Sequence, residues 1–264
     1  MKTATKAWIN GIVLLVVLAI NYISTTGIIN GTNQKEMSDK YMTPITPAPF
    51  TFSIWGIIYT LLFVSIILMI LNRNNHGYKR TIDRLSPLFW LSSAFNIGWI
   101  ITFLYDQILI SSIFIAAFTV TLIQMNRILL EVNDDRKNTL ALSFGLYNGW
   151  LLIATIINIA AYLVKIDWNR FGLSEEVWGI ILLAIASVLA ILLMVYLKNA
   201  AFTIPAAWGS FGIYKSLVSP DGFNNMYSML VVVAIACLIV LAISFVVQFK
   251  NNHWRIIPAP KYKF

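Results

Sequence analysis

The central stretch of this chain is LSFGLYNGWLLIATIIN, residues 142–158, which is apolar enough to lie in a bilayer. It carries Tyr147, Trp150, Ala154 and Asn158, spaced three, four and four residues apart, so a helix places all four on one face. A carboxamide without a partner in an apolar medium costs roughly 2–7 kcal/mol. We therefore expect Asn158 to contact a neighbouring helix, a water molecule or a ligand.

The composition around this stretch is that of a helical membrane protein. Of the 264 residues 59% are hydrophobic and 11% are charged, with a mean hydropathy of +0.76. Soluble domains carry about 25% charged residues. The apolar runs are continuous and long enough for spanning helices, without the alternation of a membrane β-barrel. We predict an all-α, polytopic membrane bundle of eight spans, at about residues 8–26, 50–71, 87–105, 108–130, 140–164, 175–197, 200–217 and 227–249.

The basic residues indicate how these spans are oriented. An even number of spans places both termini on one side, and 14 of the 19 lysines and arginines fall on that side. Because cytoplasmic loops are rich in Lys and Arg, we predict a multi-pass protein of the plasma membrane with both termini in the cytoplasm. The net charge of +8 therefore reports membrane topology, and we predict no nucleic-acid partner.

The distribution of reactive side chains argues against catalysis. No Asp, Glu, Lys or His lies in the middle of a predicted span, and His76 and His253 fall in loops. The single cysteine, Cys237, can form neither an intrachain disulfide nor a metal cluster. We therefore predict that the chain is not an enzyme, with no catalytic residue, no metal site and no resident cofactor.

Two further spans present aromatic faces like that of residues 142–158. Span 2 carries Trp55 and Tyr59 at a spacing of four, and span 3 carries Asn96, Trp99 and Phe103 at spacings of three and four. If these faces meet, they enclose an apolar cavity with a few hydrogen-bonding groups, as in small-molecule sites. The alternative is a tightly packed bundle in which the rings fill space and the Asn side chains join helices.

Three motifs in these spans occur in the same order in a known family. They are TPAPFTFSIWGIIY at residues 46–59, Asn-x-x-Trp at 96–99, and Tyr-x-x-Trp followed by Ala154 and Asn158. Over about residues 1–164 the chain resembles the TspO/MBR family, which includes translocator proteins and tryptophan-rich sensory proteins. It departs from the family motifs at Thr51, Ser92 and Leu146, where the family has Phe, Gln and Pro.

The resemblance implies a five-helix core whose pocket binds porphyrins and, in some members, sterols or benzodiazepine-type compounds. It implies that segment 27–49 is a candidate lid, and that nine residues line the pocket: Trp55, Tyr59, Asn96, Trp99, Phe103, Tyr147, Trp150, Ala154 and Asn158.

We predict a TspO-like membrane domain at 1–164 and a three-helix extension with a basic tail at 165–264. The extension covers the bundle or supplies a homodimer surface. The predicted function is binding of a planar hydrophobic ligand, with a porphyrin or another tetrapyrrole as the first candidate, by a tryptophan-rich sensor, carrier or scavenger. A transporter of another small hydrophobic substrate and a membrane scaffold without a ligand stay open as alternatives.

Overall fold

The computed structural model describes residues 1–132 and 138–259, and these residues form helices joined by short connections. The helices are α1 (Thr3–Ile23), α2 (Gln34–Lys40), α3 (Ile54–Leu71), α4 (His76–Leu104), α5 (Ile108–Glu131), α6 (Asn138–Lys165), α7 (Glu175–Leu197), α8 (Thr203–Val218) and α9 (Ser228–Asn251). Short 3-10 turns precede α3 at Pro49–Ser53 and α8 at Ala200–Phe202. The predicted all-α membrane bundle is confirmed, with no strand in the described ranges.

Among the described residues, seven helices are long and apolar enough to cross a membrane; α8, with 16 residues, is not one of them. At about 1.5 Å per residue α8 is shorter than the hydrocarbon core of about 30 Å. However, α7 and α9 run parallel. Glu176 at the start of α7 accepts a hydrogen bond from the Met229 backbone N–H (2.7 Å), and Asn252 after α9 donates to the Lys198 carbonyl (2.8 Å). The seventh predicted span, at 200–217, is therefore a short helix that returns the chain between α7 and α9.

The bundle has two ends, which we name by their loops. The terminal face holds the starts of α1, α4 and α6 and the ends of α5, α7 and α9. The distal face holds the connections 24–48, 105–107, 166–174 and 219–227. Ion pairs join helices at each end: Lys6 to Asp83 (2.9 Å) on the terminal face, and Lys40 to Asp106 (2.7 Å) on the distal face. Residues 133–137 and 260–264, which carry four of the basic residues behind the predicted orientation, lie outside the described residues.

Helix α4 begins eleven residues before the predicted start of span 3 at Pro87. Asn75 caps its N-terminus by accepting a hydrogen bond from the Gly77 N–H (3.0 Å). Proline inside a helix leaves the carbonyl four residues earlier without its donor. Here that carbonyl belongs to Asp83, and the Lys6 ammonium lies 3.4 Å from it. A contact from another helix thus compensates for Pro87, and the predicted boundary was wrong for this reason.

The distal segment 24–48 contains a helix that the sequence did not predict. Asn33 and Glu36 form a reciprocal capping box at the start of α2. After α2, the Lys40 ammonium (2.7 Å) and the Tyr41 hydroxyl (2.8 Å) donate to the carboxylate of Asp106, which also pairs with Lys165. Partial burial opposes ionisation of Asp106, but these three donors outweigh it and lower its pKa to about 2. The carboxylate therefore holds segment 24–48 against α4, α5 and α6.

Helix α6 joins the two halves of the molecule, and most of its residues are buried. Its glycines permit close contact with the turn before α8. An added Cβ on Gly145 would lie 2.6 Å from the Asn199 side chain, and one on Gly149 would lie 2.0 Å from the Phe202 carbonyl oxygen. Asn199 in turn donates to the Asn126 side chain (3.0 Å) and the Ala141 carbonyl (2.8 Å). The two larger hydrophobic clusters both include residues of α6, and a domain division at residue 164 stays a prediction.

Candidate functional site

The aromatic side chains of α3, α4 and α6 meet inside the bundle, and Trp55 lies at their centre. Its ring centroid lies 5.3 Å from that of Tyr59, 6.3 Å from Trp99, 6.0 Å from Tyr147 and 6.2 Å from Trp150. We call these five residues the aromatic cluster. Tyr59 stacks on Trp55, whereas Tyr147 and Trp150 meet it edge to face. Three separate segments therefore place their predicted rings together.

Two more rings extend this cluster. Phe118 of α5 contacts Tyr147 edge to face, with centroids 5.3 Å apart. Phe52, in the turn before α3, contacts Trp150 edge to face at 6.2 Å. Proline at the start of this turn suits a helical first turn, because its missing N–H is not needed there. The proline-rich lead thus positions Phe52 against α6.

Asn158 finds its partners in neighbouring helices, as its burial requires. Its Oδ1 accepts hydrogen bonds from Trp99 Nε1 (3.1 Å) and from the Ser111 hydroxyl (3.3 Å). Its Nδ2 donates to the Ser112 hydroxyl at 2.8 Å. This network fixes the Trp99 ring and joins α4, α5 and α6.

A second network ties the cluster to α1. The Tyr59 hydroxyl donates to Asn21 Oδ1 (2.7 Å), and Asn21 Nδ2 donates to Asn96 Oδ1 (2.9 Å). Sequence reasoning did not assign Asn21 to the site. The available signal was a carboxamide within the apolar run of the first predicted span, which needs a partner there.

Two predicted site residues stand apart from these contacts. Ala154 packs at the edge of the same hydrophobic core and contributes no polar group. Phe103 does not join the aromatic cluster. It packs instead with Met37, Tyr41 and Ile108 beneath segment 24–48.

The rings pack against one another, and the two cavities described next lie outside them. Trp99, Tyr147 and Trp150 are 7%, 3% and 2% exposed. A cavity of about 340 Å³ lies at the distal face between α6 and α7 and is lined by Trp168 and Trp178; we call it the tryptophan cavity. A cavity of about 390 Å³ lies between residues 35–52 and the end of α8; we call it the proline cavity, after Pro47 and Pro49 in its lining. Neither has a ring of the aromatic cluster in its lining, although Phe52 lines the proline cavity.

Buried polar atoms at the cluster lack a hydrogen-bond partner in the part of the chain that the structure describes. They include the indole N–H of Trp150 and Asn96 Nδ2. An unsatisfied buried donor costs about 1–3 kcal/mol. The burial of these atoms is therefore not compensated by a hydrogen bond.

Helix α8 supports the segment that carries Phe52. The Ala48 N–H donates to the Gly212 carbonyl (3.0 Å), and Trp208 Nε1 donates to the Thr51 carbonyl (2.8 Å). Phe50 packs edge to face on Trp208 with centroids 5.5 Å apart. The sequence analysis assigned Trp208 to no site, since the pairing joins residues 157 positions apart.

Within the described residues, no group of three or more His, Cys, Asp or Glu side chains could hold a metal ion. A family model described as TSPO-like protein matches residues 7–247. This range runs from α1 into α9, so the similarity includes the three helices after residue 164. Comparisons with curated proteins and with solved structures found no match.

Proposed function

Because this chain is a multi-pass membrane protein that belongs to the TSPO-like family, we propose that it binds a flat hydrophobic ligand between α3, α4 and α6. A porphyrin or another tetrapyrrole fits the proposal best. The protein would act as a tryptophan-rich sensor, a carrier or a scavenger of that ligand, without catalysing a reaction.

The observation that carries this proposal is the meeting of five rings beside two unpaired donors. Flat aromatic faces favour a flat aromatic ligand through stacking and burial of apolar area. The Trp150 indole N–H and Asn96 Nδ2 have no hydrogen-bond partner among the described residues. An acceptor atom on the ligand would satisfy them, which recovers part of the cost of their burial.

Binding between these rings requires them to separate, because they contact one another. Phe52 lies where the rings would separate. Its ring contacts Trp150 on one side and lines the proline cavity on the other. Segment 24–48 covers this part of the distal face, so we propose that movement of Phe52 and of this segment admits the ligand.

The mutual contact of the rings also favours one alternative, a scaffold that binds no small molecule. In that case the rings and the Asn158 network only hold helices together. A transporter of another hydrophobic substrate is distinguished by uptake into proteoliposomes, since a sensor would move nothing.

The test is titration of the full chain in detergent with protoporphyrin IX, followed by the porphyrin Soret band and by tryptophan quenching. We expect saturable binding in the micromolar range and weaker binding by Trp150→Leu. The matched control is Trp178→Leu, which alters a tryptophan outside the cluster. Absence of saturable binding for several tetrapyrroles would contradict the proposal.

We also propose that the terminal face lies in the cytoplasm. The described basic residues on this face include Lys2, Arg80, Lys198 and Lys250, as positive-inside topology requires. Asp221→Cys in a Cys237→Ser background should react with an impermeant maleimide added to intact cells. Labelling only after lysis would show that the distal face, and not the terminal face, lies in the cytoplasm.

A further inference from the structure

The tryptophan cavity is separate from the aromatic cluster and shares no residue with it. It lies at the distal face, where residues 42–45 cross the end of α6 and the start of α7. Its volume of about 340 Å³ suits a small molecule or the end of a larger one. Exposed side chains line part of it, including Val164 and Asp167, so it opens to the outside of the bundle.

Two indole rings form a corner in this cavity. The centroids of Trp168 and Trp178 lie 4.8 Å apart, and the ring planes meet at 67°. Phe171 packs edge to face on Trp168 at 5.0 Å and supports that ring. The corner therefore offers aromatic surface from two directions.

Apolar residues complete the lining beside this corner. Ile45, Ala160 and Leu182 contribute to it, and all three are buried. Residues 44–45 lie close to α7 at Gly179, where an added Cβ would be in van der Waals contact with Pro44 (3.5 Å) and Ile45 (3.6 Å). The cavity can thus receive a hydrocarbon group next to the indoles.

The charged groups of the lining leave one carboxylate unmatched. Arg170 pairs with Glu175 (3.6 Å), and the Tyr227 hydroxyl also donates to Glu175 (2.7 Å). Asp167 has no ion pair within the described part of the chain. Its backbone is held in place, because its N–H donates to the Val164 carbonyl (3.0 Å). The lining therefore carries an excess negative charge next to Trp168.

We propose that the tryptophan cavity binds an amphiphilic organic cation. The ammonium group would lie against the Trp168 and Trp178 rings, close to the Asp167 carboxylate, and the hydrocarbon part would contact Ile45 and Leu182. Indole faces attract cations by about 0.5–2 kcal/mol, and recognition of alkylated ammonium groups commonly uses such rings. An anion is disfavoured because Arg170 is already paired with Glu175.

The ammonium group could belong to a free molecule or to a lipid headgroup, since the cavity lies at an end of the membrane-spanning bundle. Both sources have the same recognition chemistry, so they are separated by competition. Dihexanoyl phosphatidylcholine should displace a cationic probe if the headgroup binds. Absence of displacement assigns the site to a free cation.

The experiment uses the full chain in a non-ionic detergent and butyltrimethylammonium as the probe, with calorimetry as the readout. The control ligand replaces the ammonium nitrogen by carbon, which keeps the shape and removes the charge. We expect saturable binding of the cation and roughly 2- to 30-fold weaker binding of the neutral isostere. Equal binding of the two ligands would overturn the proposal.

Variants test the same contacts from the protein side. Trp178→Leu and Asp167→Asn should each weaken binding several-fold, and Asn tolerates the positive φ of 49° at position 167. The matched controls are Trp8→Leu and Asp221→Asn, which should bind as the parent does. If Trp178→Leu lowers the melting temperature, its loss of binding could reflect unfolding, and the result for Asp167→Asn is then the test of the site. Unchanged affinity in a stably folded Asp167→Asn would contradict the assignment. Porphyrin binding should be unaffected by either variant, so this proposal and the proposed function fail independently.

Discussion

Substitution of Gly149 by Ala should separate α6 from the turn that precedes α8. The added Cβ would lie 2.0 Å from the Phe202 carbonyl oxygen, 3.0 Å from its carbon and 3.3 Å from Pro205 Cδ. The first two atoms belong to the backbone and cannot rotate away as a side chain would. Overpacking of a buried site costs typically 1–3 kcal/mol, and we expect about 3 kcal/mol here because the obstacle is the main chain.

The assay is thermal unfolding of the full chain in detergent, followed by circular dichroism. About 3 kcal/mol corresponds to a fall of roughly 6–12 °C in melting temperature for a chain of this size. Gly56→Ala is the matched control, since its added Cβ would have no described atom within 4 Å apart from its chain neighbours and the backbone of its own helix. Alanine favours a helix over glycine by about 1 kcal/mol, so this control should melt at or above the parent temperature. If the two variants melt within about 2 °C of each other, the proposed packing of α6 on the C-terminal helices is wrong.

Three further changes test other contacts. Asn158→Leu should lower the free energy of unfolding by about 2 kcal/mol, because it removes the acceptor for Trp99 Nε1. The double variant Asn158→Leu/Trp99→Phe should lose less stability than the sum of the two single losses, and additive losses would contradict the hydrogen bond. Asp106→Asn should lower the free energy of unfolding by about 1 kcal/mol at pH 7, after allowance for solvent screening of a partly exposed group. The pKa of Asp106 in the folded protein is about 2, below its unfolded value, so its contribution to stability is complete above about pH 5 and lost as the pH falls towards 2. The difference in melting temperature between the parent and Asp106→Asn should therefore disappear in acid. A difference that stays constant with pH would refute the role of the Asp106 carboxylate. Gly212→Ala would place a Cβ 2.0 Å from the Thr51 hydroxyl oxygen, so it should loosen residues 48–53 and speed limited proteolysis after segment 24–48; unchanged cleavage would count against the α8 contact.

The spacing of Tyr147, Trp150 and Asn158 on one helical face was sufficient to predict which rings and carboxamides turn inward. It was not sufficient for Phe103, which shares the helical face of Trp99. One turn further along α4 the side chain lies about 6 Å closer to the distal face, where segment 24–48 replaces the other helices as its neighbour.

Other features depend on contacts between distant residues, which spacing along one helix does not encode. Pro87 stays within α4 because Lys6 of another helix lies against the Asp83 carbonyl. Asn21 joins the site only because α1 lies beside α3 and α4. The periodicity of the sequence also predicts which residues share a helical face, but not whether the rings of facing helices are separated by a gap. For this reason the sequence alone left two alternatives, a ligand cavity between the aromatic faces and a tightly packed bundle.

Insertion of the ligand among the rings is tested most directly by distributing the nine tryptophans between two variants. One keeps only Trp55, Trp99 and Trp150, with the other six changed to Phe. The second has Phe at these three positions and keeps the other six. In titrations with protoporphyrin IX, we predict saturable quenching of most of the emission in the first variant and little quenching in the second. Equal quenching of both variants would contradict a ligand site between α3, α4 and α6.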